Sequence, residues 1–222
     1  MSEVVIDSIR GAYDRVADAY ANHLFEELQG KPLDRQLLTR FATEVIGRGQ
    51  VCDLGCGPGH VARYLRDAGA DVSGVDLSPR MVEIARRLSP GIRFDEGNML
   101  ELPLGSETLA GITAFYAIVN LEFALLPQVF REMKRVLVPG GLLLLAFHIG
   151  DEVNSVKEMW GQQVSLDFFF FQPTMIRASL EEAGFVIEEV IERQPYAAAV
   201  EHQSRRAYIF ARKPGGNVER TE

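Results

Sequence analysis

The stretch VCDLGCGPGH, Val51 to His60, decides how the rest of the chain is read. A short apolar run followed by closely spaced glycines marks a buried strand that turns sharply into a helix. Such a turn lets backbone amides approach a ligand closely. A dinucleotide turn is spaced G-x-G-x-x-G. Here the glycines are Gly55, Gly57 and Gly59, and His60 stands where the third glycine of that pattern falls. Asp53 precedes the first glycine by two positions and puts an anion at the carboxyl end of the strand. A pyrophosphate is repelled by that charge and an ammonium group is attracted. The turn therefore points to a zwitterionic ligand rather than a polyphosphate.

Downstream of the turn, strand and helix patterns alternate. Pro58 is expected at the first position of a helix running to about Asp67. DVSGVD (71–76) is a strand, and Ser78 caps a helix whose first residue is Pro79. IRF (92–94) and AGITAFYA (110–117) are further strands. Residues 125–137 form a helix with Val129, Phe130, Met133 and Leu137 inward. Pro139-Gly140-Gly141 turns the chain into the strand LLLLAF. This βαβαβ-then-βαβ order predicts a parallel sheet with helices on both faces. A helix over 173–183 follows, and then FVIEEVIER and RRAYIFARK, which read as a hairpin joined by residues 194–204. Upstream, Tyr13, Val16, Ala17, Tyr20 and Leu24 share one helical face. Gly30-Lys31-Pro32 breaks that helix, and a second carries Leu33, Leu37, Leu38 and Phe41 on one side.

The 222 residues suit one domain, with 47% hydrophobic and 24% charged residues as in ordinary globular proteins. We expect a single domain over 1–213, with an N-terminal helical cap (1–46) and an insert (148–173), and a flexible tail over 214–222. No signal peptide or membrane-spanning run is read, which predicts a cytoplasmic protein without a membrane partner. The net charge of −8 argues against nucleic acid as a partner; the densest basic spots are Arg205-Arg206 and Arg212-Lys213. Cys52 and Cys56 form a lone C-x3-C pair, a poor zinc site, and no metal is expected. A monomer or a homodimer is expected. Asp76 ends the second strand about 20 residues after the glycine turn, the place of an acid that accepts ribose hydroxyls.

The segments VCDLGCGPGHVARYL, VSGVDLSPRMVEIAR, FDEGNMLELPL and VLVPGGLLLLAF, in that order, carry a resemblance over residues 50–147. Together they resemble the class I S-adenosylmethionine-dependent methyltransferases, of the small-molecule kind with a D-x-G-C-G-x-G loop. The resemblance implies an α/β fold: a doubly wound, Rossmann-like, seven-stranded and mostly parallel sheet whose last strand is antiparallel. It implies S-adenosyl-L-methionine as cofactor, S-adenosyl-L-homocysteine as product and a small-molecule acceptor. Asp53 and the Gly55–Gly59 loop, with Gly55, Cys56 and Gly57 in contact, would flank the methionine part, and Asp76 would bind the ribose. Leu77 and Met81 would pack on the adenine. Asn98 stands where the family often has Asp and would meet the adenine amino group, with Met99 and Leu100 beside it. Tyr116 and Ala117 would lie under the methionine. AYDRVADAYAN resembles members in which a helix closes over the cofactor, which brings Tyr13 and Tyr20 to the site.

Methyl transfer from a sulfonium is an in-line displacement, so the protein chiefly positions the reactants. A base is needed only when the nucleophile still carries a proton of high pKa. Candidates lie at the carboxyl ends of the strands. His148 is the leading base candidate and Glu122 the second. Asn120, where related enzymes often carry His, can orient a substrate. Tyr196, Glu201, His202 and Arg205 could reach the pocket mouth, and Arg193 and Arg205 would suit a substrate carboxylate or phosphate. LDFFFFQP (166–173) and Trp160 are expected to shape an apolar pocket, with alternate phenylalanines facing opposite ways. Two other readings stand beside this one: a protein that binds the cofactor without transferring methyl, and a methyltransferase acting on a macromolecule.

Overall fold

The computed structural model describes residues 3–215; residues 216–222 of the expected tail lie outside them. The chain runs α1 (Glu3–Leu24), α2 (Pro32–Val45), β1 (Val51–Leu54), α3 (His60–Asp67), β2 (Val72–Asp76), α4 (Pro79–Leu88), β3 (Arg93–Glu96), β4 (Leu109–Phe115), α5 (Leu126–Val136) and β5 (Leu137–Ile149). It continues with β6 (Val153–Met159), β7 (Gln162–Phe169), α6 (Pro173–Glu182), β8 (Val186–Arg193) and β9 (Arg205–Arg212). Seven strands form one sheet in the order β3-β2-β1-β4-β5-β9-β8. β1 to β5 pair in parallel, and β9 runs antiparallel to both of its neighbours. The hairpin read in the two last runs is therefore real, and it inserts its returning strand between β5 and β8.

Helices cover both faces, as burial requires of strands apolar on both sides. Leu37, Leu38 and Phe41 of α2, Val61 and Leu65 of α3 and Val82 of α4 pack on one face. Phe130 and Met133 of α5 and Ile176 and Leu180 of α6 pack on the other. The connections from β1 and β4 leave toward opposite faces, which opens a crevice at the carboxyl ends of β1, β2 and β4. α1 lies over that crevice. Ala17 and Ala21 pack on Met81 and Ile84 of α4, while Ala12 and Val16 pack on Val164 and Leu166 of β7. Among the described residues no helix is long and apolar enough to cross a membrane.

Three local expectations change. Pro58 lies before the helix rather than at its first position, because Gly59 takes the N-cap with φ of 85° and α3 starts at His60. β5 begins at Leu137, before Pro139-Gly140-Gly141, and absorbs those residues as an irregularity opposite Leu109 and Gly111. The insert is a two-stranded sheet of its own, β6 and β7.

α2 sits so close to the sheet that a Cβ on Gly111 would stand 2.7 Å from Phe41 Cζ. Gly111→Ala should therefore cost about 1–3 kcal/mol by overpacking, read as a lower midpoint in chemical denaturation.

Candidate active site

The carboxyl ends of β1, β2 and β4 and the underside of α1 enclose a cavity of about 810 Å³, counting its part open to solvent. Gly55 and Gly57 form one wall, Asp76, Leu77 and Met81 a second, and Asn98 and Met99 a third. Phe115, Tyr116 and Ala117 lie at the end of β4, and Ile6, Ile9, Tyr13 and Tyr20 of α1 form the roof. Gly55 has φ of 65°, and a Cβ there would stand 2.6 Å from that of Ala117. Only glycine holds that turn so tight against the strand.

Asp76 is the organising charge. Its Oδ2 accepts from the Gly57 N–H at 2.8 Å and its Oδ1 from the Ser78 N–H at 2.8 Å. Each oxygen keeps a lone pair for a donor in the cavity. Burial still outweighs these amides and pushes the carboxyl up to about 6. Ser78 caps α4 as expected, its hydroxyl accepting from the Met81 N–H and donating to Asp14 of α1 at 2.6 Å. Asn98 Oδ1 accepts from the Leu100 N–H, which holds the Asn98 side chain on the wall.

Eleven of the residues expected at the cofactor thus line one cavity: Tyr13, Tyr20, Gly55, Gly57, Asp76, Leu77, Met81, Asn98, Met99, Tyr116 and Ala117. Asp53, Cys56 and Leu100 do not. Leu100 offers its amide to Asn98, and the Cys56 thiol is packed into the core below the turn. Asp53 is 2% exposed, with Oδ1 accepting from the Thr113 hydroxyl at 2.9 Å and Oδ2 without a partner. Burial, partly offset by Thr113, pushes its carboxyl up to about 7.

The catalytic candidates fall elsewhere. Glu122 is exposed and starts a short 3-10 turn outside the cavity. His148 lies behind Tyr116, stacked on Phe170 with ring centroids 5.0 Å apart, its Nδ1 at 2.7 Å from Ser204 Oγ. Burial, joined by the charges of Arg206, His202 and Lys31, pushes it down to about 3. It is neutral near pH 7 and has no face on the cavity. The β8–β9 loop does not reach the pocket mouth either. Glu201 accepts from Arg193 and the Tyr196 N–H and forms an ion pair with Arg206 at 3.3 Å, and Arg193 also pairs with Asp34 at 3.1 Å. Tyr196 accepts from the Leu33 N–H at 2.9 Å. Arg205 pairs with Glu192, and Arg212 with Glu44 and Glu188. The phenylalanines divide as alternation requires: Phe168 packs toward α1, and Phe169 and Phe171 join the sheet core. None of the four lines the cavity.

Sequence reasoning missed the Ile6 and Ile9 roof. They extend the helical stripe of Tyr13 toward the N-terminus at three- and four-residue steps, which was the available signal. It also missed that Tyr13 donates to Asn120 at 2.6 Å, a contact between residues far apart in the chain.

Asp53 is ionised in the unfolded chain above about pH 4 but in the folded one only above about 7. The fold therefore loses stability as pH rises through that window, at about 1.4 kcal/mol per unit. Asp53→Asn should raise thermal stability relative to the parent protein more at pH 8 than at pH 5, measured by calorimetry at both.

Comparisons with known proteins agree with this geometry. The family model described as a methyltransferase domain matches residues 51–141. A malonyl-acyl-carrier-protein O-methyltransferase of Enterobacter lignolyticus is 30% identical over 72% of this chain and 61% of its own length. A demethylmenaquinone methyltransferase of Chlorobaculum parvum is 33% identical over 60% of this chain and 57% of its own. The chain thus spans less than two thirds of these curated relatives. The crystal structure of an S-adenosylmethionine-dependent methyltransferase from Methanosarcina mazei shares the fold, with a TM-score of 0.69 at 16% identity over 78% of this chain and 97% of that one. With the sheet order, the glycine turn and Asp76 in place, residues 51–141 form a methyltransferase domain on the fold of the S-adenosylmethionine-dependent methyltransferases.

Proposed function

We propose that the protein binds S-adenosylmethionine in this cavity and transfers its methyl group to a small-molecule acceptor. The observation that carries the reading is Asp76, held by the Gly57 and Ser78 amides with free lone pairs toward a roofed cavity. A vicinal diol is the natural donor pair for such a carboxylate. Gly55 and Gly57 admit a close backbone approach, and Leu77, Met81 and Ile9 offer apolar surface to a flat base. The cofactor would supply an electrophilic methyl on a sulfonium. The protein's part is to hold both reactants in line and to keep water out.

The ionisable side chains on the cavity wall are Asp76, Tyr13, Tyr20 and Tyr116. Burial pushes all three tyrosine hydroxyls up, so they serve as neutral donors and not as bases. The acceptor then has to present a nucleophile that needs no base from the wall. The relatives named above are called after malonyl-acyl-carrier protein and demethylmenaquinone, which supports a small organic acceptor group. Aromatic walls from Tyr13, Tyr20, Phe115 and Tyr116 suit one with an apolar or flat part. We place the protein in the cytoplasm, in keeping with its two unpaired cysteines.

Asp76→Ala should weaken S-adenosylmethionine binding by about 1–3 kcal/mol in calorimetric titration, the size of hydrogen bonds lost to a charged acceptor. Ribose hydroxyls favour the ionised carboxylate, so affinity in the parent protein should fall as pH drops through about 6. Unchanged affinity in the variant would remove the ribose role. Methyl-labelled S-adenosylmethionine incubated with the protein and a bacterial lysate should label the small-molecule fraction. Label confined to protein or nucleic acid would replace the small acceptor with a macromolecular one.

A further inference from the structure

α1 roofs the cavity, and its two sides are held differently. On the α4 side Asp14 accepts from the Ser78 hydroxyl and the Arg80 N–H, and Asp18 pairs with Arg80 and Arg87. Ala17 and Ala21 add apolar packing there. Toward the loop after β4, α1 is joined by the hydrogen bond from the Tyr13 hydroxyl to Asn120 Oδ1 at 2.6 Å. The β6–β7 hairpin crosses α1 like a strap. Its root is fixed beside Asn120, where the Phe169 N–H donates to Val119 O at 2.7 Å. Its tip lies on the far end of α1, where Trp160 stacks on His23 with centroids 4.9 Å apart and meets Tyr20 edge-on at 5.7 Å.

Asn120 joins these parts. Its Oδ1 accepts from Tyr13 of α1, and its Nδ2 donates to Asp167 O of β7 at 2.8 Å. It also lines the cavity. An amide can accept at one end and donate at the other; a carboxylate can only accept. Burial pushes the Tyr13 hydroxyl up, so it stays protonated and keeps donating. Ile6, Ile9 and Tyr13 overlie the cavity, so lifting this roof widens the path of a ligand the size of a nucleoside.

We propose that Asn120 is a positioning residue that latches α1 and the β6–β7 strap shut over the cavity, and so sets how fast the cofactor or its product leaves. The α4 side of α1 is the hinge and the Tyr13–Asn120–Asp167 chain is the catch. The proposal rests on the reading that S-adenosylmethionine binds here. It gives Asn120 a task other than orienting the acceptor, and it accounts for an amide at a place where a base was sought.

The test is the dissociation rate of labelled S-adenosylhomocysteine, chased by unlabelled compound, from the full chain. Tyr13→Phe and Asn120→Ala should each release it roughly fivefold to tenfold faster, the worth of about one hydrogen bond. The double variant should release it no faster than Asn120→Ala alone, because both changes open one catch. Asn120→Asp keeps the acceptor for Tyr13 and loses the donor to Asp167, so it should fall between Asn120→Ala and the parent. Trp160 is the single tryptophan and reports on the strap. Acrylamide should quench it more in Asn120→Ala, and as in the parent in Tyr13→Phe, which leaves the Asn120–Asp167 bond in place. Release within twofold of the parent in both single variants, or additive effects in the double one, overturns the latch. Equal quenching in Asn120→Ala and the parent overturns its strap half. A parent protein that binds no S-adenosylhomocysteine fails the functional reading itself, an outcome distinct from normal binding with unaltered release.

Discussion

A single carboxylate, Asp76, stands between two backbone amides, and most of the site is arranged around it. The Gly57 amide ties it to the glycine turn and the Ser78 amide to the start of α4. Ser78 passes the connection on to Asp14 of α1, so strand end, turn, helix and roof share one polar cluster. Two acids at the start of α4 are tolerable because that end of the helix carries unpaired N–H groups and partial positive charge. Burial nonetheless leaves Asp76 short of donors, as its raised pKa records. A ligand that brings further donors therefore gains more here than on an open surface.

A second polar cluster has a different task. Lys31 and Asp34, beside the start of α2, meet Arg193, Glu201 and Arg206 from the β8–β9 hairpin, and all five are nearly excluded from water. Charges so buried must satisfy one another, and any of them left alone would be costly. These side chains fasten the hairpin loop to the cap, and this is why Arg193, Tyr196 and Glu201 have little left to offer a substrate. Arg206 illustrates the point: in sequence it belongs to the densest basic spot, yet it is 2% exposed and bonded to carbonyls of its own loop.

His148 and Asp53 teach a related lesson. Both lie where strand-end chemistry was expected, and both side chains turn away from the cavity. Tyr116, held at φ of 54° at the end of β4, takes the wall position and screens His148 behind it. Asp53 turns toward Thr113 on the neighbouring strand. One residue of strand register decides which face a side chain takes, and neither spacing nor residue type reveals that.

What the sequence determined by itself was local and periodic. Alternating strand and helix patterns, the glycine turn, the Ser78-Pro79 cap and the acid at the end of β2 each depend on neighbours a few residues away. Together they defined the parallel part of the sheet, and the resemblance they carry named eleven of the residues that line the cavity. The antiparallel hairpin was legible as two β-rich runs, although its insertion beside β5 is a matter of sheet topology. The tertiary structure alone decided which polar groups spend their hydrogen bonds on the protein and which keep some for a ligand. Tyr13 with Asn120, Arg193 with Asp34, and His148 with Ser204 are partners far apart in the chain, brought together by the packing of cap, strap and sheet. Burial then sets the charge state of each group, because desolvation depends on every element that closes around it.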